Sequence, residues 1–97
     1  MGFIIPTSQF RGNIGERLRE ISVNCISIRP LEYGGYCYLF KSTKGDYFSW
    51  FTQKNIPGLY SDKPLRLTGT VKDHKTITEG KTTILTRCII KDDDSRN

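Results

Sequence analysis

The chain has 97 residues, of which 36% are hydrophobic and 26% charged, and its formal net charge is +5. This length predicts one small domain without room for a large composite active site. No run of 18 apolar residues occurs, which excludes a membrane-spanning helix. The segment Met1–Pro6 has no basic region before an apolar core, and Pro6 stands where a myristoylation signal has Ser or Thr. We therefore expect a cytoplasmic protein without a cleaved leader.

The positive charge is concentrated outside the C-terminal end. Three of the ten acidic residues are Asp92, Asp93 and Asp94, so residues 1–91 contain 14 basic and 7 acidic residues, a net charge of +7. A small domain with this field favours polyanionic partners, although a soluble basic surface without a ligand fits the composition equally well. Residues 92–97 are expected to form an acidic disordered tail.

The three cysteines indicate a reducing compartment. Cys25, Cys37 and Cys88 are far apart, and each lies within an apolar or β-branched run rather than in a Cys-x-x-Cys pair. The only histidine, His74, is fourteen residues from the nearest cysteine, Cys88, a spacing that does not suit a zinc site. We predict reduced core cysteines, no metal and no cofactor.

The first predicted strand covers Ile21–Ile28. Its alternation of apolar and polar residues is broken by two consecutive apolar residues, Cys25 and Ile26, and then resumes out of phase. This pattern predicts a β-bulge, which lets one long strand bend and pair with two sheets of a small barrel. Arg29–Gly35 contains Pro30 and a pair of glycines and is predicted to be a loop.

Tyr36–Ser42 and Tyr47–Thr52 are predicted to form a β-hairpin. A bulged turn with Gly45 in the left-handed conformation pairs Ser42 with Asp46. That register places Tyr38, Phe40, Phe48 and Trp50 in the core and Leu39, Lys41, Tyr47, Ser49 and Phe51 on a wet outer face. A four-residue turn would instead move Phe48 and Trp50 to the side of Lys41 and make Trp50 the residue that stacks on a ligand. We favour the bulged turn because of the position of Gly45.

A short connector is predicted over Gln53–Asp62. Two more strands are predicted after it, Pro64–Lys72 and Thr82–Lys91. They are joined by a predicted polar loop over Asp73–Lys81. Five such strands predict an all-β, five-stranded Greek-key barrel of the oligonucleotide/oligosaccharide-binding (OB) type, spanning residues 15–91. An SH3-like barrel is the alternative. The OB fold is favoured because the longer gaps between predicted strands fall between the first and second strands and between the fourth and fifth strands. Those are the positions where the OB fold has its binding loops. Residues 1–14 are predicted to be an arm that packs on the barrel or on a neighbouring subunit.

The end of the chain carries two motifs found together elsewhere. Gly69–Lys75, followed after a glycine-containing loop by Thr83–Ile90, resembles a module of replication- and recombination-associated proteins of phages, plasmids and other mobile elements. The resemblance extends upstream to Gly15 and implies an OB fold that handles single-stranded DNA. This chain departs from the pattern in the loop after His74, because Thr76–Glu79 lacks the aromatic residue that such modules usually have there.

Binding of single strands requires cations for the phosphates and flat rings for the unpaired bases. The sequence supplies both types, with eight aromatic residues between Tyr33 and Phe51. The predicted nucleic-acid-binding residues are Lys41, Lys44, Tyr47, Trp50, Phe51, Arg66, Lys72, His74, Lys75, Lys81 and Arg87. Strand aromatics are more often core than ligand platform, and Trp50 is expected to be core in the favoured register.

These observations favour binding of single-stranded DNA, or of RNA, with little base preference, alone or with a second copy or a replication or recombination partner. An enzyme is disfavoured because the sequence has no catalytic triad order and no phosphate-loop glycine pattern, and its acidic residues Glu20, Asp46 and Asp73 are scattered singly. A protein-docking adaptor built on the same fold is the alternative, which a weak dependence of binding on salt would favour.

Overall fold

The computed structural model describes residues 9–56 and 63–92, and within them every regular element is a β-strand. Five strands close into a small barrel in the order β1-β2-β3-β5-β4, with β4 returning to β1. Their bounds are β1 Arg17–Pro30, β2 Tyr36–Ser42, β3 Tyr47–Thr52, β4 Leu65–Ile77 and β5 Gly80–Asp92. No helix in the described ranges is long and apolar enough to cross a bilayer.

The strand order confirms the predicted OB-type Greek-key barrel. β3 lies parallel to β5, whereas all other neighbouring strands are antiparallel. β3 and β4 follow each other in the chain but are not neighbours in the barrel, so the chain crosses over between Thr52 and Leu65, in the region of the predicted connector. Residues 57–62 of this predicted connector lie outside the described ranges.

The bulge in β1 is confirmed, but the strand is longer than predicted. Cys25 pairs with Phe40 and Ser27 with Leu39, which leaves Ile26 as the extra residue. β1 begins at Arg17, before the predicted start at Ile21, and a second irregularity lies between Leu18 and Ile21, opposite β4. Both flanking residues pack on the core although they are three positions apart. This spacing breaks the alternation that would have revealed the first part of the strand.

The bulged turn of the β2–β3 hairpin is confirmed. The Ser42 amide donates to the Asp46 carbonyl (2.8 Å), the Gly45 amide donates to the Ser42 carbonyl (2.9 Å), and Gly45 has φ of +92°. The register therefore places the predicted aromatic residues inside the barrel. The main core cluster consists of Val23, Cys25, Tyr38, Phe40, Phe48, Trp50, Leu65, Leu67, Val71 and Leu85.

The prediction of a polar loop over Asp73–Lys81 is wrong, because β4 and β5 extend through this segment. The strands stay paired from Asp73, opposite Ile84, to Ile77, opposite Gly80, and form a two-stranded ribbon with a turn of two residues. The segment is polar because most of its side chains are exposed or only partly buried, not because its backbone lacks a partner. Polarity alone does not distinguish an exposed ribbon from a loop.

The described part of the N-terminal arm packs on the barrel. The backbone N–H of Arg11 donates to Thr83 Oγ1 (2.9 Å) and the backbone N–H of Gln9 donates to Asp46 Oδ1 (2.8 Å), so β5 and the β2–β3 turn hold it. The predictions for residues 1–8 fall outside the described ranges, as do those for residues 93–97 of the tail. Asp92 belongs to β5 rather than to the tail.

The loop between β1 and β2 requires glycine at one position more than at the other. A Cβ on Gly35 would lie 2.9 Å from the Thr52 carbonyl oxygen, whereas a Cβ on Gly34 would come no closer than 3.8 Å to its nearest neighbour. Both residues have positive φ, which costs other residues about 1–2 kcal/mol. Gly35→Ala should therefore lower the free energy of unfolding in urea more than Gly34→Ala does. Equal effects would contradict the close approach.

Candidate nucleic-acid interface

Strand pairing arranges one row of polar and aromatic side chains across the outer face of the barrel. Lys41 of β2 pairs with Tyr47 of β3, which pairs with Thr82 of β5, which pairs with Lys75 of β4. Residues paired in this way lie side by side on the same face of a sheet. The row therefore has one predicted cation at each end, with Tyr47 and the fully buried Thr82 between them.

A groove lies beside this row and has a volume of about 360 Å³. It runs between the β1–β2 loop and the tip of the β4–β5 ribbon. We call it the front groove. Its lining includes Arg29, Leu31, Cys37, Leu39, Ser49, Phe51, Ile77 and Glu79. Arg29 Nη2 and Glu79 Oε2 approach to 3.9 Å, so the loop side and the ribbon side make a weak ionic contact at the rim.

Two residues predicted to lie on a wet surface are buried instead. Leu39 and Ser49 lie on the floor of the front groove, where Ser49 Oγ and Thr82 Oγ1 are 2.8 Å apart and hydrogen-bonded. The ribbon explains the burial, because Ile77 at its tip lines the same groove. The prediction was wrong because it assumed a polar loop in place of this ribbon.

The structure separates the aromatic candidates into exposed rings and core rings. Phe51 is 50% exposed at the front groove, and Tyr33 is 94% exposed in the adjoining β1–β2 loop. Tyr47 is partly buried, with Lys41 Nζ 5.7 Å from its ring centroid. Trp50 is only 6% exposed and packs on Tyr38, with 5.6 Å between the ring centroids. Trp50 is therefore a core residue and does not present a face to a ligand.

Two predicted arginines lie on the other wall of the barrel, formed by β4 with the first half of β1 and the second half of β5. Arg66 pairs with Ser22 and Lys91, and its Nη1 donates to Glu20 Oε1 (3.0 Å). Arg87 is exposed where the β4–β5 register shifts, and it has φ of +55°. Neither arginine contributes to the face that carries Phe51. The predicted basic residues therefore do not lie on one continuous surface.

Other predicted binding residues hold the N-terminal arm or lie near the strand irregularities. The His74 ring stacks on Phe10 at 4.7 Å and its Nε2 is 3.0 Å from the Gly12 carbonyl oxygen. Lys81 Nζ lies 5.5 Å from the centroid of the same Phe10 ring. Lys72 is exposed at a register shift of β4, and Lys44 is exposed in the β2–β3 turn. Of the predicted set, Lys41, Tyr47, Phe51 and Lys75 share the outer face.

The cysteines are free thiols in the structure. Burial raises the pKa of Cys37 in the front groove, although the nearby Arg29 opposes the shift, and burial raises the pKa of Cys88 to about 12. Burial also raises the pKa of Cys25. At neutral pH all three are protonated and weakly nucleophilic. No group of three or more His, Cys, Asp or Glu side chains in the described ranges is arranged to hold a metal ion.

Arg29 and Ile77 are front-groove residues that were absent from the predicted set. The pairing of Ser27 with Leu39 and of Arg29 with Cys37 continues the alternation of β1 beyond its bulge. Extending that alternation by one step would have found Arg29 on the outer face. No sequence signal marked Ile77, because its position depends on the ribbon.

No family model, curated protein or solved structure matches this chain.

Proposed function

We propose that this protein binds single-stranded nucleic acid across the outer face that carries the front groove. The observation that supports the proposal best is the coincidence of exposed rings and cations on one face of an OB-type barrel. Phe51 lines the groove, Lys41 and Lys75 lie in the adjoining row, and Arg29 stands at the rim. Rings accept unpaired bases by stacking, and cations neutralise the phosphates between them.

The arrangement suits single strands better than duplexes. A ring stacks on a base only if that base is unpaired and its face is open, and each such contact contributes about 1–3 kcal/mol. The front groove is bordered on both sides, by the β1–β2 loop and by the ribbon tip. Every base has a flat face, so binding of this kind carries little sequence preference. We assign this activity, on the resemblance noted above, to phage or mobile-element DNA metabolism.

A bound phosphate would replace the contact between Arg29 and Glu79. These side chains are substantially exposed and 3.9 Å apart, so their ion pair is weak and costs little to break. The guanidinium can then form two parallel hydrogen bonds with phosphate oxygens. In this structure the Glu79 carboxylate lies beside Arg29 at the rim of the groove.

Fluorescence anisotropy with labelled oligonucleotides of about 12 nucleotides tests the proposal, since OB folds cover about 4–16 nucleotides. The single strand should bind more tightly than a duplex of the same sequence, and its affinity should fall as salt rises from about 50 to 200 mM. RNA measured alongside DNA reports whether a 2′-hydroxyl is tolerated. Equal binding of duplex and single strand, or affinity unaffected by salt, would contradict the proposal.

The two lysines of the outer row should account for a defined part of the salt dependence. Replacing Lys41 and Lys75 by Gln removes two cations, and each phosphate contact on a single strand contributes about 0.7 to the slope of log K against log salt. The slope should become shallower by about 1.4 if both lysines contact phosphates. Arg87→Gln, on the other wall of the barrel, is the matched control and should leave the slope unchanged.

A further inference from the structure

A second groove, separate from the front groove, lies at the opposite end of β2 and β3. It is bounded by the first part of β1, the β2–β3 turn and the N-terminal arm, and its volume is about 660 Å³. The two grooves have no lining residue in common. The second groove has an apolar floor formed by Leu18, Ile21 and Phe48.

Four cations line this second groove. They are Arg11, Arg17, Arg19 and Lys44. The guanidinium of Arg11 is occupied by Asp46, with 2.6 Å between Nε and Oδ2. Arg17 Nη1 donates to Thr70 Oγ1 (2.8 Å), which orients that side chain without neutralising it. Arg19 and Lys44 are exposed, and neither makes an ion pair within the described residues.

The lining is therefore positive overall. Its two carboxylates belong to Asp46 and Glu16. Asp46 is already paired with Arg11, and Glu16 Oε1 accepts a hydrogen bond from the backbone N–H of Asn13. Arg17, Arg19 and Lys44 therefore have no paired carboxylate among the described residues of the groove. The one carboxylate not in an ion pair there, that of Glu16, is hydrogen-bonded within the turn at Asn13. This imbalance favours an anionic ligand.

The floor distinguishes this groove from a nucleic-acid platform. Its one aromatic residue, Phe48, is 1% exposed and belongs to the core, so no ring face is open to a base. Leu18 and Ile21 are partly buried and offer an aliphatic surface. Aliphatic side chains of a peptide can pack on such a surface. Peptide carboxylates can form bidentate hydrogen bonds with the arginine guanidinium groups.

We propose that the second groove binds an acidic peptide segment that also carries aliphatic side chains, contributed by a partner protein. Carboxylates of the peptide pair with Arg17, Arg19 and Lys44, and an aliphatic side chain covers Leu18 and Ile21. This site does not depend on the proposed nucleic-acid binding. Because the two grooves are lined by different residues, a partner and a nucleic acid can be bound at the same time.

Fluorescence anisotropy with labelled peptides tests this inference on the full chain. The probe is the peptide Asp-Asp-Leu-Asp-Asp-Leu. Two matched peptides separate charge from apolar contact, one with Asn in place of every Asp and one with Ser in place of every Leu. The first peptide should bind. The peptide with Asn should bind at least about tenfold more weakly, since a lost charged hydrogen bond costs that factor or more. The peptide with Ser should also bind at least about tenfold more weakly, because it loses the burial of its aliphatic side chains.

Charge reversal locates the site. Arg19→Glu combined with Lys44→Glu should reduce the peptide affinity by at least about tenfold. Both side chains are exposed, so the fold should persist, which circular dichroism checks. Lys75→Glu, on the outer face, is the control and should leave peptide binding unchanged.

Three results would overturn the inference. The first is the absence of any anisotropy change with the acidic peptide. The second is equal binding by the Arg19→Glu/Lys44→Glu variant, which would place the peptide elsewhere. The third is displacement of the labelled peptide by an oligonucleotide in the Lys75→Glu variant, which would identify the second groove as a nucleic-acid site instead.

Discussion

Replacing Trp50 by Ala is expected to lower the free energy of unfolding by about 3–5 kcal/mol. The indole is 6% exposed and packs within the core cluster against Tyr38, so its removal leaves a cavity lined by rings. A domain of this size is stable by only about 5–15 kcal/mol, and the variant would lose a large share of that. Urea denaturation followed by circular dichroism measures the change.

The adjacent aromatic residue provides the control for this prediction. Phe51 neighbours Trp50 in β3 but is 50% exposed, so Phe51→Ala should cost much less stability than Trp50→Ala. The opposite order of effects would mean that the hairpin register is shifted by one residue, with the indole outside the barrel.

Replacing both Tyr47 and Phe51 by Ala is expected to weaken binding of single-stranded DNA by at least about tenfold. If each ring stacks on one base, the two contacts together contribute about 2–6 kcal/mol, and every 1.4 kcal/mol is a factor of about ten. The barrel should remain folded because neither residue belongs to the core cluster. Anisotropy titration of the double variant measures the loss, and urea denaturation checks the fold.

An exposed apolar residue on the other wall provides the control. It distinguishes the loss of stacking on the bases from the loss of any exposed apolar side chain. Ile89 is 52% exposed on β5, away from the front groove, and Ile89→Ala should not change the affinity. If Tyr47→Ala/Phe51→Ala binds as tightly as the unaltered chain, the rings of the outer face do not contact the bases. The proposed mode of binding would then be wrong.

The fold was predictable where local pattern and turn chemistry agreed. The bounds of β2 and β3, the left-handed Gly45 and the bulge at Ile26 all follow from alternation and from the residues that turns require. The start of β1 was not predictable in this way. The irregularity between Leu18 and Ile21 puts both residues on the core three positions apart, which interrupts the strand pattern.

The candidate site was less predictable than the fold because it depends on contacts between distant segments. The residues over Asp73–Lys81 are polar, and their pairing as a ribbon that covers Leu39 and Ser49 is a tertiary effect. Closure of the barrel also separates Arg66 and Arg87 from the outer face, although all the basic residues count equally in the composition. Net charge reports the number of cations and not the wall on which they lie.

Nuclear magnetic resonance of the isotope-labelled protein tests the central claim most directly. On titration with a thymidine oligonucleotide of about 12 nucleotides, we expect the largest amide shifts in Cys37–Lys41, Tyr47–Phe51 and Thr82–Ile84, the paired strand segments whose backbone carries the residues of the outer face. The Trp50 indole signal should move little because the ring is inside the barrel. Shifts confined to the wall of Arg66 and Arg87, or to the second groove, would contradict the claim.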